Sequence, residues 1–318
     1  MATSRSIASL PERFHGCLIG LAVADALGAP YEGLTSDDIF YRFGAGTHVV
    51  TNPDGDTLYY TDDTEMMIGL AETLVSEGHV DGEKLIAAFV ANYHPDRGYG
   101  RGARQILETA ATGGDWREVA RTIFPGGSLG NGAAMRVAPV GLLFHDSPEQ
   151  VWEQAKQSAL PTHQHPVGIE GAQLLAHAVS LAVQLSEIQR KHFLTALLDR
   201  VETESFQWAI RSALKIKRGD SISGLGSTLH ADRSVVTAIV CFVDSPDDYA
   251  FAVGRAISLG DDTDTVAAMA GCLVGAFAGI QAIPAKAVEQ FERSRKGIAY
   301  IRELANRLVI RHTNRVGR

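Results

Sequence analysis

Apolar residues recur along most of the chain at the three- to four-residue spacing of a helix with one buried face, and the alternating pattern of a half-buried strand is nearly absent. The pattern therefore predicts an all-α protein. The segment 116–123 has the helical spacing too. The other predicted helices cover residues 11–28, 64–77, 81–93, 100–111, 132–145, 148–159, 167–186, 189–217 with a break, 232–243, 246–258, 264–280 and 284–309.

Two of the predicted helices, 16–28 and 266–280, are rich in glycine and alanine. Small side chains let neighbouring backbones approach closely, so we expect these two to form the central pair of the bundle. Prolines fall where predicted helices begin or end, with one exception. Pro139 lies inside the predicted helix 132–145 and predicts a kink there.

Two dense runs of acidic and hydroxyl residues, 61–64 (TDDT) and 261–265 (DDTDT), each precede an apolar predicted helix. Helix capping explains one such run, since Asp and Thr accept hydrogen bonds from the N–H groups at a helix start. Capping alone does not readily explain two such runs, because the apolar helices that follow them are expected to be buried and an unneutralised buried carboxylate is costly. Oxygen ligands without Cys or His favour Mg²⁺ or Mn²⁺. The sequence thus predicts that both runs meet at one cation site.

Composition restricts the class of protein. A net charge of -8 argues against a general binder of nucleic acid or of membrane surfaces. The uncharged stretch 265–285 is long enough for a membrane span, but its Ala/Gly content, Pro284 and the preceding aspartates favour a core helix. With no linker between two halves, we predict one domain over residues 1–318. The three isolated cysteines favour a reducing, cytoplasmic location, with nucleus and mitochondrion left open for a eukaryotic source.

The glycine-rich segment 124–132 (FPGGSLGNG) is a candidate ligand-binding loop. Its backbone N–H groups would stand before a helix expected to begin near Ala133, which is typical of a phosphate or diphosphate site, although a flexible turn explains the glycines equally well. The segment also matches G-x-S-x-G at Ser128. A serine hydrolase is disfavoured, because the nucleophile of that motif follows a strand and none is predicted here.

Other polar positions have open interpretations. His163 and His165 are candidate ligand contacts, metal ligands or helix caps. Asp25 lies in an apolar helix, so it must be paired, protonated or near a cation if buried, and we favour a supporting hydrogen-bond role for it. Glu32, by sequence alone, is a loop carboxylate beyond the end of the first helix.

Taken in colinear order, several motifs resemble the ADP-ribosylglycohydrolase family, also called the dinitrogenase-reductase-activating glycohydrolase family. They are RFHGCL at 13–18 with Tyr31-Glu32, YTDDT at 60–64, GNGAAMR at 130–136, Thr162-His163 and SLGDDTDT at 258–265. RGYG at 97–100 and GAAMRVA at 132–138 are most similar to the ADP-ribosylhydrolase 3 branch of that family.

This resemblance implies an orthogonal multi-helix bundle with two Mg²⁺ (or Mn²⁺) ions at the floor of a cleft for ADP-ribose. It implies a hydrolase that removes ADP-ribose from modified proteins, or cleaves poly(ADP-ribose) or O-acetyl-ADP-ribose at the anomeric carbon, with serine linkages preferred over arginine. The implied metal ligands are Thr61, Asp62, Asp63, Asp262, Asp264 and Thr265. Glu32 and Asp63 are the implied catalytic residues. The implied substrate contacts are Gly98, Tyr99, Phe124, Gly127, Ser128, Leu129, Asn131 and His163.

Two departures from the branch affect this expectation. The loop before Gly127 is one residue shorter than in that branch, which weakens the assignment of Phe124 as an adenine contact. Asp261 occupies a position where the branch more often has glycine. The chain is also similar to bacterial arginine-directed members, so an arginine-directed hydrolase is an alternative. Two further alternatives are a non-catalytic relative that binds ADP-ribose or has a structural role, and a metal-dependent phosphohydrolase. The implied partners are ADP-ribose and ADP-ribosylated protein or poly(ADP-ribose), with no direct nucleic-acid or membrane partner, for a monomeric enzyme.

Overall fold

A computed structural model of the protein describes residues 7–53 and 55–317. Within these residues the chain forms 17 α-helices and no β-strand, which confirms the predicted all-α class. The helices are α1 (Leu10–Gly28), α2 (Ser36–Phe43), α3 (Gly46–Thr51), α4 (Asp62–Glu77), α5 (Gly82–Asn92), α6 (Arg101–Ala111), α7 (Trp116–Thr122), α8 (Ala138–Leu143), α9 (Pro148–Ala159), α10 (Pro166–Gln184), α11 (Arg190–Leu198), α12 (Glu204–Lys215), α13 (Ala231–Asp244), α14 (Tyr249–Ile257), α15 (Thr263–Ala278), α16 (Ala285–Gln290) and α17 (Ile298–Val316).

The antiparallel pair α1 and α15 lies at the centre of the bundle, as the glycine and alanine content predicted. A Cβ atom on Gly275 would lie 1.9 Å from the carbonyl oxygen of Gly16, and one on Gly271 would lie 2.5 Å from that of Gly20. The two backbones therefore touch at successive turns, where a side chain has no room. This contact fixes the start of α15 beside the end of α1.

Gly275→Ala should lower the free energy of unfolding by about 3 kcal/mol, because the new methyl group forces α1 and α15 apart. The matched control is Gly82→Ala at the start of α5, where the nearest atom to an added Cβ is Pro161 Cγ at 3.9 Å. We expect the control to change stability by less than about 1 kcal/mol. Chemical denaturation measures both values, and equal effects of the two substitutions would contradict close backbone contact.

The prediction of one helix over residues 132–145 was wrong. Residues 132–137 form turns, and α8 begins only at Ala138. The backbone N–H groups of Ala134 and Met135 both donate to the carbonyl of Asn131, which closes a turn in place of a helix. Pro139 consequently lies in the first turn of α8 and kinks nothing, since first-turn N–H groups need no intrahelical partner.

Other differences concern short or divided helices. Helices α2 and α3 were not predicted, and Ile39 is the one buried residue of α2, so little apolar periodicity marks that segment. The predicted helix 284–309 is divided into α16 and α17. Between them, the Glu292 backbone N–H donates to the Leu58 carbonyl, and this bond joins the interruption to the segment before α4.

Two helical stretches, Leu10–Tyr31 and Pro166–Gln184, are long and apolar enough to cross a membrane by length and composition. Of their apolar windows, 83% and 78% are buried inside the protein, which is equally typical of core helices in water-soluble proteins. The stretch 265–285, which the sequence singled out, is mostly the buried α15. Cys17, Cys241 and Cys272 are buried and unpaired.

Candidate metal centre

The two acidic runs meet at one place, as predicted, because α4 and α15 both begin beside the end of α1. A Cβ atom on Gly28 would lie 2.6 Å from the Cα of Asp264. Across 202 positions of sequence, Thr265 Oγ1 donates to Asp63 Oδ2 at 3.4 Å. The contact between α1 and α15 thus brings carboxylates from opposite ends of the chain together.

Carboxylate oxygens at this place fall into two groups that share one member. Oxygens of Asp25, Asp63 and Asp264 lie within 4.8 Å of one another, and so do those of Glu32, Asp262 and Asp264. Two adjacent groups with a common carboxylate are the arrangement that a pair of cations requires.

Asp25 holds the start of α4 in place. Its Oδ1 accepts hydrogen bonds from the Thr61 hydroxyl at 2.7 Å and the Thr61 backbone N–H at 3.1 Å. Its Oδ2 accepts from the Thr64 hydroxyl at 2.5 Å and the Thr64 backbone N–H at 3.2 Å. Burial raises the pKa of Asp25 to about 6, and these donors oppose the rise. The side chain therefore has the supporting role predicted for it, and its oxygens are already occupied by donors.

The other carboxylates at the centre have fewer donors. Asp63 Oδ1 is buried and has no hydrogen-bond partner among the described residues. Burial raises the pKa of Asp62, Asp63 and Asp264 well above the ordinary range, and repulsion between neighbouring carboxylates adds to the rise. Such a cluster needs protons or cations to neutralise it. Since the atoms available to ligate a metal are all oxygens, the residues present fit Mg²⁺ or Mn²⁺ better than Zn²⁺.

Binding of Mg²⁺ should release protons and should weaken as the pH falls from neutral toward the range in which an ordinary aspartate titrates. With raised pKa values, Asp63 and Asp264 retain protons above the pH at which an ordinary aspartate loses them, and a cation must displace those protons. Calorimetric titration in two buffers of different ionisation enthalpy measures the protons released at each pH. Affinity that stays constant over this pH range would contradict the explanation.

Glu32 lies at the exposed rim, just past a 3₁₀ turn at Ala29–Tyr31. Partial burial of its carboxylate and then repulsion from Asp262 raise its pKa. The Gly33 N–H donates to the Asp261 carbonyl at 2.8 Å, and the Asp261 N–H donates to the Leu34 carbonyl at 2.9 Å. These two bonds tie the Glu32 loop to the start of α15.

Asp261, the residue that departs from the branch, has a φ of 60°, in the left-handed region that side chains other than glycine seldom adopt. Its exposed carboxylate accepts a hydrogen bond from Ser227 Oγ at 3.3 Å. The Asp261 side chain lies outside both carboxylate groups described above.

Asn131, implied as a substrate contact, lies against the acidic cluster. Its Nδ2 donates to Asp262 Oδ2 at 2.5 Å and to Ser234 Oγ at 3.0 Å. Its backbone N–H donates to the Leu229 carbonyl at 2.9 Å. The amide thus orients the Asp262 carboxylate and joins the 127–131 loop to the cluster.

The implied diphosphate contacts Gly127, Ser128 and Leu129 share that loop, which packs against residues 163–168. A Cβ atom on Gly127 would lie 2.4 Å from the His165 backbone nitrogen. Because α8 begins only at Ala138, the helix start that was predicted directly behind the loop is absent among the described residues. The backbone N–H groups of Gly127, Gly130 and Asn131 already have acceptors within the protein, so those of Ser128 and Leu129 are left for a ligand.

The remaining implied contacts lie on two sides of the cluster. Gly98 is close to Asp62, since a Cβ there would lie 3.8 Å from Asp62 Oδ1. Tyr99 is buried, and its hydroxyl donates to Glu65 Oε2 at 2.8 Å. Phe124 packs against Gly102 in α6, where the Arg101 guanidinium carbon lies 5.2 Å from the centre of its ring.

Sequence analysis missed Glu65 as a positioning residue. Besides the Tyr99 hydroxyl, its carboxylate accepts the His94 backbone N–H at 2.9 Å and contacts His94 Nδ1 at 2.6 Å. In the same segment, the Arg97 carbonyl accepts the Asp62 N–H at 2.7 Å. Glu65 therefore holds the loop that lines the centre beside Asp62. The sequence signal was a further carboxylate directly after TDDT.

Known proteins similar to this chain indicate its family. The model of the ADP-ribosylglycohydrolase family matches residues 6–316. ADP-ribosylhydrolase ARH3 of Mus musculus is 34% identical over 346 residues, covering 93% of this chain and 90% of that protein. ARH3 of Homo sapiens is 34% identical over 335 residues, covering 90% and 89%. ADP-ribosylarginine hydrolase Tri1 of Pseudomonas putida is 29% identical over 321 residues, covering 96% and 81%. A solved structure titled "ADP-ribosylglycohydrolase-related protein complex" matches with a TM-score of 0.71 and 25% identity over 95% of this chain and 99% of that one.

Proposed function

Because the chain belongs to the ADP-ribosylglycohydrolase family, we propose that it is a metal-dependent hydrolase that releases ADP-ribose by cleaving the bond at the anomeric carbon of the distal ribose. The observation that carries this proposal is the convergence of the two acidic runs into two carboxylate groups that share Asp264. We further propose that the cofactor is a pair of Mg²⁺ or Mn²⁺ ions.

Asp63 with Thr61 and Asp62 would hold one ion, and Asp262 with Thr265 would hold the other, with Asp264 common to both. When bound, the ions would supply positive charge that orients the distal ribose hydroxyls and offsets negative charge as the anomeric bond breaks. The unpartnered Asp63 Oδ1 supports this assignment, since a buried carboxylate oxygen without a donor is otherwise unfavourable.

In the proposed mechanism, Glu32 accepts a proton from the attacking water. A general base works best when its pKa lies near the operating pH, and both partial burial and Asp262 shift the pKa of Glu32 in that direction. The backbone N–H groups of Ser128 and Leu129 and the His163 ring would bind the diphosphate and ribose, which aligns the anomeric carbon with Glu32.

For the substrate, we propose a serine-linked or other O-linked ADP-ribose, which is the preference implied by the resemblance of residues 97–100 and 132–138 to the ADP-ribosylhydrolase 3 branch. An arginine linkage is the second candidate. It is favoured by the similarity to Tri1, an ADP-ribosylarginine hydrolase by name, and by the exposed Asp261 carboxylate. The backbone of Asp261 is hydrogen-bonded to the Glu32 loop, and its carboxylate would attract a cationic leaving group.

A substrate panel tests this proposal. The purified protein is incubated with Mg²⁺ or Mn²⁺ and with serine-linked, arginine-linked, polymeric or O-acetyl ADP-ribose substrates, and the products are identified by mass spectrometry. We expect free ADP-ribose, released fastest from an O-linked substrate. Release of AMP or phosphate would indicate a phosphohydrolase, and tight ADP-ribose binding without any turnover would indicate a non-catalytic relative.

A further inference from the structure

A fully buried arginine lies behind the proposed substrate loop. Arg136 is 0% exposed. Its Nη1 donates to the Gly132 carbonyl at 2.9 Å, and its Nη2 donates to the Ser158 carbonyl at 3.0 Å and to Thr162 Oγ1 at 2.7 Å. Burial lowers the pKa of Arg136 to about 10, so the side chain keeps its charge at neutral pH.

The Thr162 hydroxyl connects Arg136 to a histidine through hydrogen bonds. An arginine can only donate hydrogen bonds, so the Thr162 oxygen accepts from Arg136 and its own proton must point elsewhere. His163 Nδ1 lies 2.7 Å from Thr162 Oγ1, whereas the alternative acceptor, the Ala159 carbonyl, lies 3.4 Å away. The shorter contact and the neighbouring guanidinium charge both favour donation to His163. Nδ1 is then an acceptor, and the ring proton resides on Nε2.

The other edge of the His163 ring faces the substrate loop. A Cβ atom on Gly132 would lie 3.4 Å from His163 Nε2, and one on Gly130 would lie 3.7 Å from it. On the other side, a Cβ on Gly168 would lie 3.0 Å from Cδ2 of the ring. The residue is 7% exposed, and Nε2 has no hydrogen-bond partner in the part of the chain that the structure describes. The protein does not enclose Nε2 completely, so a ligand oxygen can reach it and accept its hydrogen bond.

Protonation of the His163 ring would remove the difference between its two nitrogens, since an imidazolium donates from both. Burial, and then the positive charge of Arg136, lower the pKa of His163 to about 3. The ring is therefore neutral at any working pH, and the hydrogen bond at Nδ1 alone decides which nitrogen carries the proton.

We propose that Arg136 and Thr162 are positioning residues that fix His163 as the Nε2–H tautomer, which presents a neutral N–H donor at residues 130–132 to an oxygen of the ribose-diphosphate part of the substrate. The identity of that ligand rests on the proposed function above, whereas the tautomer does not. A neutral donor binds an oxygen atom without adding a charge beside the cation site.

The decisive variant is Thr162→Val, which removes the hydroxyl at nearly constant volume, with Thr162→Ser as the conservative rescue. Thr73→Val is the matched control, because Thr73 is also buried but its hydroxyl donates only to the Gly69 carbonyl of its own helix. Long-range proton-nitrogen NMR of histidine-labelled protein identifies which ring nitrogen of His163 is protonated, and His163→Gln assigns the signal. Calorimetry with ADP-ribose and Mg²⁺ measures affinity.

We expect a single Nε2–H tautomer in the wild-type protein, in Thr162→Ser and in Thr73→Val. Thr162→Val should show both tautomers and about tenfold weaker ADP-ribose binding, the value of one hydrogen bond. Arg136→Lys should also show both tautomers, and if that variant does not fold, Thr162→Val decides alone. An Nδ1–H tautomer in the wild type, or an unchanged tautomer in Thr162→Val, would overturn the proposal. If the wild-type protein binds no ADP-ribose, the proposed function fails while the NMR result still decides the tautomer.

Discussion

Asp264→Asn should reduce turnover by about 10³-fold or more, because one substitution removes the carboxylate shared by both proposed cation positions and with it the main electrostatic stabilisation of the reaction. The same variant should lose its response to Mg²⁺ in thermal unfolding. The wild-type protein should be stabilised by about 2.7 kcal/mol at a Mg²⁺ concentration 100 times the dissociation constant, since the ion binds only the folded state.

When a chelator removes Mg²⁺, Asp264→Asn should be more stable than the wild-type protein. Without a cation, Asp264 must either carry a buried charge beside Asp262 and Glu32 or take up a proton, and its raised pKa shows that the folded protein disfavours the charge. For a carboxylate whose pKa is higher in the folded state, stability falls as the pH rises above the unfolded value of about 3.9. Removing the charge should therefore raise the free energy of unfolding at pH 7 by about 1 kcal/mol or more.

A buried aspartate elsewhere in the protein is the matched control. Asp244 is 1% exposed and is neutralised by Arg190 at 2.7 Å and Arg255 at 2.6 Å. Asp244→Asn should destabilise the protein by about 3 kcal/mol with or without Mg²⁺, because it leaves two half-buried arginines without their charged partner. If Asp264→Asn behaved like this control, or kept its Mg²⁺-dependent turnover, the cation site would be wrongly assigned.

Glu32→Gln should lower kcat by about 10²- to 10⁴-fold, the usual contribution of a general base, because an amide of the same shape cannot accept the proton of the attacking water. ADP-ribose affinity should stay within about tenfold of the wild-type value, since Glu32 is exposed at the rim while the other carboxylates and the 127–131 loop are unchanged. Steady-state kinetics with the best substrate of the panel and calorimetry with ADP-ribose measure the two quantities.

Glu289→Gln, at an exposed position in α16, is the control for the same chemical change and should leave both quantities as they are. A large rise in KM at constant kcat in Glu32→Gln would instead assign Glu32 to substrate binding. Loss of Mg²⁺-dependent stabilisation in that variant would make Glu32 primarily a cation ligand.

Local sequence pattern predicted the helical class and the meeting of the acidic runs. The glycines of α1 and α15 predicted a close pair, and the position of one acidic run directly before α15 then placed that run at the end of α1. Asp25 was also predictable in part, because a carboxylate in an apolar helix must find donors if it is buried. These predictions succeeded because each rests on the composition of short segments, even where the segments themselves meet across 202 positions of sequence.

What sequence did not predict depends on partners distant in the chain. Asn131 was assigned to substrate by motif, but its amide direction is set by Ser234 and Asp262, which are 103 and 131 positions away. The start of α8 was misplaced because the turn before it is stabilised by the burial of Arg136, whose acceptors lie at residues 132, 158 and 162. Periodicity contains no information about such contacts.

The antiparallel contact of α1 with α15 has a consequence for biosynthesis. Since a ribosome releases the chain from its N-terminus, the first acidic run emerges long before α15 exists to pack against it. A nascent chain that ends before residue 262 lacks Asp262 and Asp264, and the glycine face of its first helix is not covered by α15. We therefore expect cation capture to follow release of almost the whole chain, and chaperones that bind apolar segments to protect α1 during translation.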